Sequence, residues 1–192
     1  MTNKKLTLIG RLRKYIRNKE GSTAIEFALL ALPFSALLFA IVETAVVFFI
    51  ASSLSHALSE AGRDVRLGNF QQGCGDTADA FKTLVCDNMV SIGNCQQQLT
   101  IDLVRSNDGS FQTNVLPPLP PEDPSDTDAD PTIPASTYES SGGNDVVIAR
   151  ARFFHRLALP GNLTLLANRA GNIRLVESST AFRNEPFNNV CS

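Results

Sequence analysis

Histidine is scarce in this chain: 192 residues hold only His56 and His155. Neither has a second metal-ligating side chain beside it, and the four cysteines never fall in a CxxC pair, so no metal centre is expected. No Gly-x-Ser-x-Gly elbow, no HExxH helix and no phosphate-cradling glycine loop occurs. His155 stands among Arg150, Arg152 and Arg156 on a predicted strand, better suited to face solvent or a partner than to act as a base. The chain is therefore expected to be no enzyme and to carry no cofactor. Charge is missing from Phe27 to Ala51, except for Glu43, and cysteine is missing before Cys74. No internal repeat is apparent.

What is present is arranged asymmetrically. Residues 1–21 hold seven basic side chains, Lys4 to Lys19, against one acid, Glu20. The remainder holds ten basic and eighteen acidic side chains. The 25-residue apolar run from Phe27 to Ala51 follows the basic arm directly. At ~1.5 Å per residue it amounts to ~37 Å of helix, enough to cross a ~30 Å hydrocarbon core with some tilt. A basic arm beside such a span predicts a cytoplasmic N-terminus and an exported remainder. The span also accounts for the arm's charge, so no nucleic-acid partner is expected. The run is long for a cleaved secretory signal, and Ser55-His56-Ala57 is a poor cleavage site. Pro33 removes a backbone donor inside the run and predicts a kink. Glu43 has two readings. It is tolerated inside the helix, protonated or bonded to Thr44 or another neighbour, or it packs against partner helices, as intramembrane acids usually do.

All four cysteines, Cys74, Cys86, Cys95 and Cys191, follow the span, as in an oxidised exported domain. Three pairings are arithmetically open. Cys86 and Cys95 bracket a short segment ending in Ile92-Gly93-Asn94, so local closure between them is expected. Cys74–Cys191 would then tie the tail to the start of the domain.

The exported part is expected to be α+β. The long helix should continue through Leu54, Ala57, Leu58, Ala61 and Val65 to about Leu67, where Gly68 stops it. A second helix is expected over Asp76–Ser91, with Asp76 as its N-cap. Leu99, Ile101 and Leu103 alternate with Thr100 and Asp102, the pattern of a half-buried strand. Ser106-Asn107-Asp108-Gly109 predicts a turn, with Phe111–Val115 returning as the hairpin partner. Residues 117–144 are rich in proline and aspartate and read as an extended, solvated surface loop. Asp126, Asp128 and Asp130 have the alternate spacing of a calcium loop. Pro131 stands where a glycine is needed, and Thr137 where a glutamate is needed. Val146–Leu157 and Ile173–Phe182 read as strands joined across Pro160-Gly161. An antiparallel sheet of three to four strands results. The expected layout is a leader at 1–21, a membrane helix at 22–51 and an exported domain at 52–192.

The junction Lys19-Glu20-Gly21-Ser22-Thr23-Ala24-Ile25-Glu26-Phe27 resembles the prepilin site Gly-xxxx-Glu-aromatic. Phe27 stands where the major pilins of the system usually have tyrosine. With the apolar helix directly after it and the tail Phe182-Arg183-Asn184-Glu185-Pro186-Phe187, the chain resembles the TadE-like minor pilins, or pseudopilins, of the tight-adherence (Tad/Flp) pilus system. The resemblance covers the first fifty residues and the C-terminus. It implies cutting between Gly21 and Ser22 by a prepilin peptidase, and an assembly role for Glu26 and Phe27. Other pilin subunits and Tad assembly proteins are the implied partners, and bacterial adhesion the implied setting. An acid near a helix start is also favoured by the helix dipole, by ~0.3–1 kcal/mol. That accounts for an acid at Glu26 but not for its offset from Gly21. The alternative function is an uncut bitopic inner-membrane scaffold. Arg183, Asn184 and Glu185 have two readings as well: a turn that ends the fold, or a docking surface for another chain.

Overall fold

The computed structural model describes residues 22–188, apart from 73–75, 91–92, 107–108, 110, 112–115, 127–128, 130–131 and 161–163. Helix α1 runs Ser22–Arg66, followed by the short α2 (Asn69–Gln72), α3 (Ala78–Asp87) and α4 (Cys95–Gln98). The strands are β1 (Leu99–Ser106), β2 (Thr137–Tyr138), β3 (Val146–Arg156) and β4 (Ile173–Arg183), in the order β2-β1-β3-β4. The fold is α+β, and α1 is long and apolar enough to cross a membrane.

The chain divides into two compact units, with the boundary between Ile41 and Val42 and therefore inside α1. In the first unit, Thr23–Ile41 has no buried residue, and Ile25, Leu29, Leu30, Leu32 and Phe34 are each largely exposed. Pro33 lies within the helix. The second unit starts before the apolar run ends, at a point that composition does not mark.

Within the second unit, α1 buries one stripe: Val47, Ile50, Leu54, Ala57, Leu58, Ala61 and Val65. Steps of three and four residues keep these side chains on one face of a helix. They share a core with Leu99, Ile101 and Leu103 of β1, with Val147, Ala149, Ala151 and Phe153 of β3, and with Phe81 and Val85 of α3. Each large side chain removed from water this way contributes ~1.5–3 kcal/mol. The Cβ that Gly62 lacks would lie 3.0 Å from the Phe182 ring, so β4 also closes onto the helix.

Several elements differ from the sequence expectation. The antiparallel partner of β1 is β3, in the register Leu99↔Phe153 to Ser106↔Val146, and β3 pairs antiparallel with β4. The hairpin expected from Phe111–Val115 falls mostly on residues outside the described set. The two-residue β2 lies inside the stretch read as loop and pairs parallel with β1, so the sheet is mixed. α3 begins at Ala78 with Thr77 as its N-cap, the hydroxyl accepting from the Ala80 N–H at 3.2 Å. Asp76 is not the cap. Its carboxylate accepts instead from the Tyr138 hydroxyl at 3.3 Å and from the Ser140 hydroxyl, tying α3 to the strand side.

β1 is also not half-buried: Thr100 and Asp102 are as inaccessible as their apolar neighbours. The second face of the sheet is covered by the proline-rich segment. Leu116 packs with Val104 and Ile148, the Pro117 carbonyl accepts from Arg150 and Arg152, and the Pro120 carbonyl accepts from Arg169 at 2.8 Å. Residues 116–122 form a strap across the sheet. Prolines cannot donate to a ladder, but their carbonyls can still accept from arginines standing on the face.

Candidate functional site

The sequence draws attention to three places: the start of α1, Glu43 and the C-terminal motif. At the first, Gly21 lies outside the described residues. Ser22 is the first residue of α1, and Glu26 and Phe27 are exposed on its opening turns, Phe27 at 72%. Nothing folded within the unit covers this end among the described residues.

Glu43 is buried, at 7% exposure. Its Oε1 accepts the backbone N–H of Ala158 and that of Leu159, the latter at 3.1 Å. These donors belong to the connection between β3 and β4, whose Leu157 also shares the core with the α1 stripe. The structure therefore places Glu43 in a clasp within its own domain. These N–H groups, far along the chain, are partners that the sequence did not name. His155 lies close enough to feel the charge. Burial holds its imidazole below the usual histidine range, and Glu43 pulls in the opposite direction. His155 is thus half-buried, not solvent-facing.

The disulfide Cys86–Cys95 is present, with Cα atoms 5.8 Å apart, and joins the end of α3 to the start of α4. Cys74 and Cys191, the other expected pair, lie outside the described residues.

The C-terminal motif closes the far end of α1. Gly68 takes φ +79°, ending the helix as its position suggests. Phe187 lies against it. Asn184 is buried at 2%, donating from Nδ2 to Ser141 Oγ at 3.0 Å and to the Gly142 carbonyl at 2.8 Å. Its backbone N–H donates to the Asp145 carbonyl, and the Glu185 N–H donates to the Arg66 carbonyl at 2.9 Å. Glu185 also pairs with Arg66 at 3.2 Å. One of the helix's orphan C-terminal carbonyls is satisfied by the motif itself. Of the three residues read as a docking surface, Asn184 is inaccessible and Glu185 is engaged locally; Arg183 is exposed.

One cluster escaped the sequence reading. Asp102 Oδ2 lies 2.8 Å from Arg150 Nη2 and 3.0 Å from Arg152 Nη1. Arg152 reaches on to Glu177 at 3.3 Å, and Arg169 pairs with Glu122 at 2.7 Å. Burial pushes the Asp102 carboxyl up, against the pull of the Arg150 guanidinium. The only available signal was the pairing of alternate positions on β1 and β3, which appears once their register is known. Every charge in the cluster is paired and the strap supplies further acceptors, so it works as a polar core. Among the described residues no group of three or more His, Cys, Asp or Glu could hold a metal ion.

Residues 21–63 match the family model described as TadE-like protein. No curated protein and no solved structure matches the chain. The family match begins at the prepilin-like glycine, runs through the exposed part of α1 and ends within the stripe that packs on the sheet. Residues 21–63 are thus a TadE-like segment, which relates the chain to the pilin-like proteins of Tad pili.

Proposed function

We propose that this chain is a minor pilin or pseudopilin acting in assembly of a Tad/Flp-type pilus. A prepilin peptidase cuts it after Gly21 at the cytoplasmic face. The observation that carries the reading is where the family match begins. The TadE-like match starts at residue 21, the glycine of the Gly-xxxx-Glu-aromatic junction, and runs on through the exposed part of α1. Glycine lets the backbone enter a narrow protease site in extended form. Cutting removes the basic arm and leaves a new amine on Ser22, about one helical turn from Glu26. In the filament Glu26 pairs with the terminal amine of a neighbouring subunit, and the exposed Phe27 packs beside it. The helix sits in the inner membrane with its N-terminus cytoplasmic, and the domain folds in the periplasm, where Cys86–Cys95 is oxidised.

Intact-mass analysis of the protein from cells with a working peptidase tests the reading. A chain beginning at Ser22 is expected, and Gly21→Leu should abolish the cut. A full-length chain in such cells would instead favour the uncut bitopic scaffold. Topology has a separate test. A thiol reagent that cannot cross the membrane should label the reduced cysteines of intact spheroplasts; labelling only after lysis reverses the orientation.

A further inference from the structure

We propose that the proline-rich strap is itself a ligand. Pro117-Pro118-Leu119-Pro120-Pro121 is a polyproline II segment, displayed for a groove on another protein that is lined with aromatic side chains and basic at one end. The proposal rests on neither the membrane span nor the pilus reading. It starts from a period of three. Leu116 is buried, Leu119 and Glu122 are partly buried, and Pro117, Pro118, Pro120 and Pro121 are exposed. The contacts keep the same interval. Leu116 packs with Val104 and Ile148, and Glu122, two intervals on, pairs with Arg169 at 2.7 Å. The Pro117 carbonyl accepts from Arg150 and Arg152, and the Pro120 carbonyl accepts from Arg169. A strand would alternate every two residues and an α-helix would repeat every 3.6. Three residues per turn is the polyproline II period. A 3₁₀ helix shares it, but four of these five residues are proline and have no N–H to give it. Residues before a proline are also held out of the helical region, and Leu116, Pro117, Leu119 and Pro120 all precede one.

One side of this segment is docked on the sheet, and two sides are free. The free sides carry the rings of Pro117 and Pro120, and of Pro118 and Pro121. Aromatic-lined grooves take such a ridge of rings, and their Trp N–H or Tyr O–H groups donate to its carbonyls. The carbonyls of Pro118, Leu119 and Pro121 make no hydrogen bond among the described residues, so they remain to accept. The docking contacts use two carbonyls and the side chains at 116 and 122. They do not depend on which residues stand at 118 and 121. Charge sets the other feature of the partner. The ridge ends at the exposed Asp123, whose carboxylate accepts from the Ser125 N–H at 2.9 Å, while the Asp126 N–H donates to the Asp123 carbonyl at 3.2 Å. This turn fixes a negative charge beside the last proline, and a basic groove end complements it. A second copy is a poor source of such a groove. The chain has no tryptophan and two tyrosines, and the Tyr138 hydroxyl is engaged with Asp76.

The arginines hold the strap in place before any partner arrives, so binding should cost little further ordering. The probe is an isolated WW domain with a basic groove end, a module that takes proline-rich segments. Calorimetry measures its affinity for the full chain in detergent, for a free peptide of residues 114–126, and for two full-chain variants. The full chain should bind about fivefold more tightly than the peptide. Pro118→Ala combined with Pro121→Ala should weaken binding to the chain about tenfold, and Asp123→Lys about threefold, each at an unchanged melting temperature. Binding to the chain no tighter than to the peptide would show that the docked strap is not displayed in binding-ready form, and would overturn the proposal. Tighter binding that survives the proline substitutions would place the contact elsewhere on the domain and overturn it as well.

Discussion

Phe187 lies so close over Gly68 that a Cβ on Gly68 would stand 2.6 Å from the ring's Cγ. The contact joins a residue near the C-terminus to the residue that ends α1, and φ +79° at Gly68 makes it doubly specific for glycine. Gly68→Ala should destabilise the domain by about 2 kcal/mol or more, from left-handed strain plus the clash. Thermal melting of the full chain in detergent checks this. A melting temperature equal to wild type would show that the tail is not seated there.

The C-terminal motif separates into an inner and an outer part. Asn184→Ala takes the Nδ2 donor away from the Ser141 hydroxyl oxygen and the Gly142 carbonyl, and should cost about 1–3 kcal/mol. Arg183→Ala, on an exposed side chain, should change stability by less than ~0.5 kcal/mol. Assembly assays on Arg183→Ala then read docking alone. Loss of pilus assembly at unchanged stability would assign Arg183 to a contact with another chain.

Asp102 should behave as the keystone of the strap-side cluster. Asp102→Ala leaves Arg150 without its carboxylate and Arg152 with Glu177 alone, at exposures of only 12% and 2%. Removing one partner of a buried pair costs ~3–5 kcal/mol. Replacing the whole set with apolar residues should cost less than that single change. Denaturant titration of the two variants makes the comparison.

His155 should make stability depend on pH. Burial lowers its folded-state pKa below the unfolded value, so the unfolded chain binds a proton first as pH falls. Its contribution is full above the unfolded pKa of ~6.5 and is lost progressively as pH drops from there toward the folded value. Melting temperature should therefore fall on acidification from pH 7.5 to 5.5, and His155→Gln should flatten that slope. An unchanged slope would place the acid sensitivity in other groups.

Much of this protein is decided by neighbours in sequence, and those parts were legible. The Gly21–Glu26 offset and the apolar run are local patterns, and the family match falls on them. The end of α1 at Gly68, the strands after Val146 and Ile173, and the Cys86–Cys95 closure were equally readable, because each depends on residues within a few turns or a short loop. The rest required contacts across long stretches of chain. The Glu43 carboxylate meets N–H groups 115 and 116 residues away, and no local pattern names such a partner. The pairing of β1 with β3 joins residues forty or more positions apart, with Ser106 and Val146 at its near end, so no short-range pattern announces it. Asp102 read as solvent-facing because alternation reports which residues share a face, not whether that face is covered. Composition correctly kept the proline-rich segment out of the ladder. Only the folded chain brings its carbonyls over two arginines, since covering a sheet is a matter of position in space.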